Sequence, residues 1–369
     1  MLINCYKDEL LGKINIVSKA VASKTTQEIL ECILITADNQ GVRFTANNME
    51  LAIETCNMEA EIIEKGAIAV DAKTFFEIIR NLPENEAHIE SDDNNNVTIT
   101  SGKSKFNIFA LPASSFPALP TVEKNVKYET KSNVLKNMIK QTIFSVAVEE
   151  TKPIFTGELM EIKKDCFNLV AIDGFRVAFR KTEMVNENEN VSVVVPARTL
   201  GEISRILPDK EEEIVSMYFT DNLALFETTG FTLVSRLLEG EFFKYESSFT
   251  DEYNTSIDIN RHEFLSSLER ATLLAKDSKK NPVELNIKDG ILAITSNSNV
   301  GTSYEEVGIE FEGDELKIGF NPRYLIDALK AIDDEKINLK FMSQLSPCII
   351  RGLETDDYKY LILPLRLNS

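Results

Sequence analysis

Hydrophobic and polar residues recur with two different periods along the chain, and each period predicts a different kind of element. The segment 71–83 spaces its apolar residues three or four positions apart, which is typical of a helix with one buried face. These residues are Phe75, Ile78, Ile79 and Leu82. Segments 7–14, 132–139 and 261–268 are amphipathic in the same way. In Lys105–Phe109, by contrast, polar and apolar residues alternate one by one, which predicts a half-buried strand.

The predicted helix at 71–83 is one member of a threefold repeat. It aligns without gaps with the segments 196–208 and 321–333, at a constant offset of 125 residues. Asp71 and Asn321 are suitable N-cap residues for the first and third of these helices. A period of this length is too long for a solenoid unit, so it indicates three domains that share one fold.

The order of the predicted elements indicates the fold class. Strand patterns outnumber helix patterns and mostly follow one another, so we expect an α+β protein with two helices packed on antiparallel sheet in each repeat. Polar stretches and Pro120 place the predicted domains at 1–125, 126–252 and 253–369. Similar domains joined in series form arcs, and arcs close by self-association, so we expect a ring-forming protein.

Composition excludes several classes of protein and of site. The 369 residues include five cysteines without a Cys-x-x-Cys pair and only two histidines, which disfavours a disulfide framework, a metal site and histidine-based catalysis. No stretch reaches the roughly 18 apolar residues of a membrane helix, and the N-terminus lacks the layout of a signal peptide. We therefore expect a cytoplasmic protein with no membrane partner, no metal and no cofactor.

The net charge of −19 disfavours nucleic acid as a ligand when it is taken as a sum, but the cations are unevenly distributed. Lys73 and Arg80 are seven residues apart, on the face opposite the apolar one. The same two positions are basic in the other repeats, as Arg198, Arg205, Arg323 and Lys330. The segments 7–24, 131–140 and 261–280, expected to be helical, are also net positive. The helices are therefore cationic, and the rest of the chain carries the excess of acid.

Two interpretations of these cations remain open. Glu77, Glu202 and Asp327 recur between the paired basic positions, so the helices could simply present solvated faces with ion pairs. Alternatively, cationic helices face a polyanion while the acidic remainder repels non-specific nucleic acid. In that case we expect contact with the phosphate backbone, which carries no sequence information.

Three motifs carry a resemblance to a known family. They are Ala171–Ala178, Gly319–Leu325 and Tyr360–Leu367, in a chain that also has the threefold repeat. Together they resemble, over the whole chain, the bacterial DNA polymerase III beta subunits, known as sliding clamps. The resemblance implies a head-to-tail homodimer in which six domains surround double-stranded DNA, with helices lining the hole and sheets on the outer rim.

The resemblance also implies a function and a set of partners. Members of this family have no chemistry of their own; they slide along DNA without sequence specificity and tether the polymerase for processive replication. The implied partners are the replicative polymerase alpha subunit, the clamp-loader subunits that open the ring, and other proteins with a clamp-binding motif. The implied DNA-facing residues are Lys24, Lys73, Arg80, Lys136, Lys140, Arg198, Arg205, Arg323 and Lys330.

The family's partner pocket accepts short peptides with apolar and aromatic anchors. Residue by residue, the resemblance places it between the second and third domains, at Phe155, Ile172, Gly174, Phe175, Arg176, Val177, Phe243, Asn321, Tyr324, Leu361, Ile362, Leu363, Pro364, Leu365 and Arg366. The chain departs from the family pattern after Gly240, where Phe242–Tyr245 is followed by Glu246–Ser248, and at Lys280.

The implied subunit contact joins repeat one of one protomer to repeat three of its partner. The residues assigned to it are Ile78, Leu82, Lys103, Lys105, Phe106, Ile108, Leu273, Leu274, Glu305 and Glu306. Ile78 and Leu82 fit either this interface or the core of the domain. Charge reversal at Lys103 and Lys105 is expected to weaken the dimer.

Two other classes of function compete with this assignment. Gly102–Ser104 is similar to the end of a phosphate-binding loop, but Val97 stands where that loop requires glycine, so we do not expect an enzyme. A protein-interaction scaffold that never touches DNA is favoured by the acidic balance and disfavoured by the in-register cations. Reversing the charge of Arg205 and Lys330 would separate a clamp from a scaffold.

Overall fold

The computed structural model describes residues 1–148, 152–209, 212–274 and 282–367. The chain divides into two compact units. Unit 1 consists of Met1–Asn133 with Arg205–Leu237, and unit 2 of Val134–Ser204 with Leu238–Ser369. Each unit thus combines one terminal third of the chain with a part of the central third.

The described ranges contain six α-helices, two in each predicted repeat. They are α1 (Lys7–Val17), α2 (Ala72–Arg80), α3 (Ser132–Thr142), α4 (Ala197–Ile206), α5 (Arg261–Ala271) and α6 (Pro322–Ala331). All six predicted helices are therefore confirmed. The segment 7–24 is helical over a shorter length than expected, and residues 275–280 of the segment 261–280, which include Lys280, lie outside the described residues.

Strands make up most of the remaining chain. They are β1 (Leu2–Tyr6), β2 (Cys32–Asp38), β3 (Gly41–Asn47), β4 (Leu51–Thr55), β5 (Glu61–Glu64), β6 (Gly66–Asp71), β7 (Glu86–Ser91), β8 (Asn96–Ser101), β9 (Ser104–Phe109), β10 (Leu111–Pro112), β11 (Tyr128–Lys131), β12 (Gly157–Ile162), β13 (Cys166–Ile172), β14 (Arg176–Glu183), β15 (Val191–Pro196), β16 (Ile214–Phe219), β17 (Leu223–Glu227), β18 (Phe231–Arg236), β19 (Thr255–Asn260), β20 (Val283–Lys288), β21 (Ile291–Ser298), β22 (Gly301–Gly308), β23 (Glu310–Gly313), β24 (Leu316–Phe320), β25 (Lys336–Phe341), β26 (Cys348–Gly352) and β27 (Tyr358–Ile362).

Unit 1 contains two antiparallel sheets. One has the order β5-β1-β7-β8-β9, and the other has the order β10-β6-β2-β3-β4-β18-β17-β16-β11. The larger sheet is continuous across the first two predicted domains because β4 pairs with β18, with Thr55 opposite Phe231 and Leu51 opposite Ser235. The chain therefore extends one sheet with strands that are far apart in sequence.

Unit 2 repeats this arrangement. Its sheets have the orders β15-β12-β13-β14-β27-β26-β25-β19-β23 and β22-β21-β20-β24. The junction is the pairing of β14 with β27, which sets Arg176 opposite Ile362 and Val177 opposite Leu361. This register brings the motif at 171–178 next to the C-terminal motif at 360–367.

Helix α2 illustrates why these sequences form helices that pack on sheets. Asp71 caps the helix by accepting a hydrogen bond from the backbone N–H of Thr74, at 2.8 Å. Phe75 and Ile79 are fully buried, and each contributes about 1.5–3 kcal/mol through removal of apolar surface from water. In unit 2, residues of α5 and α6 share one apolar core with the strands below them. The α+β fold with helices on antiparallel sheet is therefore confirmed.

No helix in the part of the chain that the structure describes combines the length and apolar character needed to cross a bilayer.

Candidate functional site

The three repeated helices α2, α4 and α6 present their cations to solvent. Each buries the apolar side of the helix, and the basic residues lie on the other side. All six predicted positions are exposed: Lys73, Arg80, Arg198, Arg205, Arg323 and Lys330. The spacing in the sequence therefore produces an exposed pair of cations on each of these helices.

Ion pairs occupy some of these cations. Arg80 pairs with Glu77 on its own helix at 2.7 Å, and Lys330 pairs with Glu269 of α5 at 2.8 Å. Exposed pairs of this kind are each worth about 0–1 kcal/mol. They therefore do not prevent the cations from contacting an external polyanion.

The remaining predicted DNA-facing residues, Lys24, Lys136 and Lys140, come from the first helix of the first two repeats or from its surroundings. Lys140 is exposed and Lys136 is half-buried, and both lie on α3. Lys24 is exposed but not helical: α1 ends at Val17 and a 3-10 turn at Ser18–Ala20 follows. The expectation that Lys24 lies on a helix was therefore wrong, because the amphipathic pattern does not continue beyond that turn.

The predicted partner-pocket residues lie together in unit 2, around the turn that joins β13 to β14. Gly174 occupies the left-handed region of the backbone map, with φ of +91°, which favours glycine. Asp173 closes the turn: its Oδ1 accepts hydrogen bonds from the backbone N–H of Phe175, at 2.9 Å, and of Arg176, at 3.1 Å. The turn leaves Phe175 56% exposed.

The side chain of Arg176 is buried next to this turn and holds the turn in place. It is only 9% exposed. Its Nε donates to Asp173 at 3.0 Å, its Nη1 donates to Asp327 of α6 at 2.8 Å, and its Nη2 donates to the carbonyl oxygen of Phe144. Two carboxylates and a carbonyl therefore satisfy the buried guanidinium, as a buried charge requires.

Aromatic rings enclose the same guanidinium. Its Cζ lies 4.4 Å from the ring centroid of Tyr324 and 5.4 Å from that of Phe144. The ring of Phe175 stacks on Tyr324 with centroids 6.4 Å apart. Burial raises the pKa of Tyr324, and the carboxylate of Asp173 raises it further. The side chains of Arg176, Tyr324 and Phe175 thus lie in successive layers. We call this stack the Phe175–Tyr324 wall; it ends at the exposed Phe175.

An apolar cluster forms the floor beside this wall. Ile172, Val177 and Leu361 are buried in it, and Phe155 packs against it. Phe155 meets the ring of Phe242 edge to face, with centroids 5.7 Å apart.

Phe243, which the resemblance assigns to this pocket, and its neighbour Phe242 differ in their packing. Phe242 packs against the cluster, whereas Phe243 is 44% exposed and is not part of it. The two phenylalanines are adjacent in a non-helical, non-strand segment, so no periodicity in the sequence distinguishes the inward residue from the outward one.

The C-terminal segment 361–366, called the C-terminal run below, forms the other side of the cluster. Ile362 is buried at the end of β27, and Leu363 is exposed. The backbone N–H of Leu363 donates to the carbonyl oxygen of Phe175 at 2.9 Å, and that of Leu365 donates to the carbonyl oxygen of Gly319 at 2.8 Å. Pro364 lies between these two bonds, where its missing N–H costs no hydrogen bond. Arg366 is exposed, and Asn321 is buried as the N-cap of α6.

Five of the residues assigned to the subunit contact lie on two edge strands: Lys105, Phe106 and Ile108 on β9, and Glu305 and Glu306 on β22. Strand β9 is the last strand of its sheet in unit 1, and β22 is the last strand of its sheet in unit 2. Phe106 and Ile108 share one face of β9, Lys105 is exposed on the other face, and Lys103 lies in the preceding turn. Edges of this kind present unpaired backbone groups that another strand can use.

The other contact residues differ in how accessible they are. Leu82 is only 3% exposed and belongs to the core, whereas Ile78 is half-buried. Leu273, Leu274 and Glu306 are exposed. Glu305 forms an ion pair with Arg270, and this hydrogen bond lowers the pKa of the Glu305 carboxyl.

Within the described ranges, no group of three or more His, Cys, Asp or Glu side chains is arranged to hold a metal ion. The two carboxylates next to Arg176, those of Asp173 and Asp327, form ion pairs with it. The site therefore offers ionic and apolar contacts for binding.

Comparisons with known proteins identify the family of each part of the chain. The N-terminal, central and C-terminal domains of the DNA polymerase III beta subunit match residues 1–120, 129–244 and 247–366, respectively.

Individual relatives agree over the full length. The beta sliding clamp of Halalkalibacterium halodurans is 35% identical over 373 residues, and the match covers 98% of each chain. The crystal structure of the DNA polymerase sliding clamp from Bacillus subtilis is 34% identical, covers 100% of both chains and has a TM-score of 0.96. A structure from Eubacterium rectale, assigned to the DNA polymerase III beta subunit, is 43% identical, with the same coverage and TM-score.

Proposed function

Because this chain belongs to the family of DNA polymerase III beta subunits, the non-catalytic sliding clamps of the bacterial replicative polymerase, we propose that it closes into a homodimeric ring around double-stranded DNA. Family membership makes it a processivity clamp, with DNA and DNA polymerase III as its partners. The finer proposals concern the residues that face DNA, those that bind partner proteins and those that join the two protomers.

The DNA-facing proposal rests on one observation, the in-register cations of α2, α4 and α6. Two exposed basic residues recur in each repeat on the side of the helix away from the core. Three equivalent helices with the same charge suit double-stranded DNA, which has phosphates all around its outer surface. Contacts with these phosphates do not depend on the DNA sequence. Lys24, Lys136 and Lys140 add to this set.

The ring is tested by retention on DNA. The protein is loaded onto a nicked circular plasmid with a clamp loader and passed through a sizing column. Retention on the circle and release after the plasmid is cut once would support encirclement. Equal retention on circular and linear DNA would contradict it, because an ordinary surface contact does not depend on the ends of the DNA.

The DNA face is tested by charge reversal. The variant Arg205→Glu with Lys330→Glu is expected to weaken binding to a short duplex. The slope of the logarithm of the binding constant against the logarithm of the salt concentration should fall in magnitude by about one for each phosphate that is no longer neutralised. Lys288→Glu, which changes an exposed cation on β20, is the matched control. If the double variant binds the duplex as the wild type does while still binding partner peptides, the scaffold function is correct instead.

The partner site is proposed to be the surface formed by the exposed end of the Phe175–Tyr324 wall, the cluster with Phe155 and the C-terminal run. An apolar cluster next to polar groups suits a peptide with apolar and aromatic anchors. The proposed partners are the polymerase alpha subunit, clamp-loader subunits and other proteins that carry a clamp-binding motif.

Partner binding is tested with a fluorescein-labelled peptide that carries leucine and phenylalanine anchors. Phe155→Ala is expected to weaken its binding about tenfold or more, as for a central anchor of an interface. Ile63→Ala removes an exposed apolar side chain from β5 and serves as the control. Equal affinities for Phe155→Ala and the wild type would place the partner site elsewhere.

The dimer is proposed to form by pairing β9 of one protomer with β22 of its partner. The exposed Lys105 and the acidic Glu306 supply complementary charges on these edges. Small-angle scattering should give twice the mass of one chain and the distance distribution of a hollow disc. Lys103→Glu with Lys105→Glu is expected to weaken the dimer at low salt, whereas Lys65→Glu should not. An unchanged dimerisation constant would refute the assignment.

A further inference from the structure

The acidic residue of α6 differs from its equivalent in the first repeat. Glu77 of α2 pairs with Arg80 on its own helix. Asp327 of α6 occupies the matching position but binds Arg176, a residue of β14, through Oδ2 at 2.8 Å. In the third repeat, the acidic residue therefore contacts the arginine that holds the turn with Phe175.

The same oxygen of Asp327 also faces a proposed DNA-facing cation. The Nε of Arg323 lies 4.0 Å from Oδ2 of Asp327, and the side chain of Arg323 is 75% exposed. One carboxylate oxygen is thus shared between a buried arginine of the partner site and an exposed arginine of the DNA face. Two cations that share one anion compete for it.

We propose that Asp327 makes the affinity of the partner site depend on whether DNA occupies Arg323. This inference rests on the proposed function and goes beyond it, because it couples the two surfaces. When a phosphate binds Arg323, it draws this cation away from Asp327. The carboxylate of Asp327 then interacts with Arg176 alone, and the ion pair between Asp327 and Arg176 becomes stronger.

A stronger pair stabilises the surface that a peptide meets. Arg176 also holds Asp173, whose Oδ1 fixes the backbone of Phe175, and its guanidinium supports the ring of Tyr324. A wall that is already ordered loses less entropy when a peptide binds. DNA therefore tightens peptide binding, and by thermodynamic reciprocity a bound peptide tightens DNA binding.

The size of the coupling follows from the exposure of Arg323. An ion pair with one well-exposed partner is worth at most about 1 kcal/mol, which limits the change in peptide affinity to about fivefold. The effect is electrostatic, so it should decrease as salt concentration rises.

The experiment measures the affinity of the labelled peptide for the full-length protein, with and without a saturating concentration of a short DNA duplex in low salt. For the wild type, DNA is expected to tighten peptide binding by up to about fivefold. Arg323→Gln is expected to bind peptide more tightly without DNA and to lose the response to DNA. Asp327→Asn keeps an oxygen that accepts from Arg176 and is also expected to lose the response.

Lys288→Gln is the control. It removes an exposed cation of unit 2 that lies outside the proposed DNA face and partner site and whose ion-pair partner is Glu315 rather than Asp327, so the response to DNA should remain. Equal peptide affinities with and without bound DNA in the wild type would overturn the coupling, as would a response that persists in Asp327→Asn. Failure of the wild type to bind either duplex or peptide would instead refute the proposed function.

Discussion

Glu158 is a buried acid whose protonation should make the stability of the protein depend on pH. It lies on β12 and is inaccessible to solvent. One of its oxygens is hydrogen bonded to the Thr142 hydroxyl of α3, and the other has no hydrogen-bond partner among the described residues. Burial raises its pKa to about 8, and the hydrogen bond with Thr142 only partly opposes this. At neutral pH, the folded protein therefore holds Glu158 mainly in its neutral form.

The sign of the effect follows from the two pKa values. In the unfolded chain the carboxyl has its ordinary pKa of 4.5, so it releases its proton there first as the pH rises. Between this value and about 8, the folded state binds more protons than the unfolded state, and the free energy of unfolding falls with rising pH. Each pH unit well inside this window costs at most about 1.4 kcal/mol. From about pH 5 to about pH 7 the expected loss is about 2–3 kcal/mol.

Glu158→Gln removes this titration while keeping the shape of the side chain and one hydrogen-bonding oxygen. Urea unfolding of the variant and the wild type, at one fixed protein concentration and several pH values, gives the difference in their free energies of unfolding. That difference is expected to move in favour of the variant by about 2–3 kcal/mol over the same pH range. Glu183→Gln, an exposed glutamate at the end of β14, is the control and should follow the wild type. If Glu158→Gln and the wild type keep a constant difference from pH 5 to pH 7, the reasoning is wrong.

Three further predictions concern packing and capping. Phe242→Ala is expected to weaken binding of the labelled peptide by roughly tenfold, because it removes the ring that packs against Phe155. Phe243→Ala should change the peptide affinity much less, because this side chain is exposed. A larger effect of Phe243→Ala than of Phe242→Ala would contradict the placement of Phe242 in the pocket. Gly319→Ala is expected to lower both peptide affinity and thermal stability, because the added Cβ would lie 2.9 Å from the carbonyl oxygen of Leu365. Unchanged peptide binding would show that the C-terminal run is not part of the site. Asp71→Ala is expected to lower the free energy of unfolding by about 1 kcal/mol through loss of the α2 cap, and an unchanged urea midpoint would contradict this.

The local features of this protein could be predicted from its sequence. The apolar spacing located all six helices, and the constant offset between the repeats located the exposed cations of α2, α4 and α6. These predictions hold because a helix and its faces depend on residues within a few turns of one another. The N-caps Asp71 and Asn321 were predictable for the same reason.

Only the tertiary structure decided which strands meet and which side chains they bury. The pairings of β4 with β18 and of β14 with β27 extend each large sheet with strands that are far apart in sequence, and periodicity contains no information about such edges. Arg176 is buried, with ion pairs to Asp173 and to Asp327, which is 151 positions away in the chain. Phe242 rather than Phe243 packs against the apolar cluster, and no period in the sequence distinguishes the two. A period of two or of 3.6 residues tells which face of an element is apolar, but the partner of that face depends on the path of the whole chain.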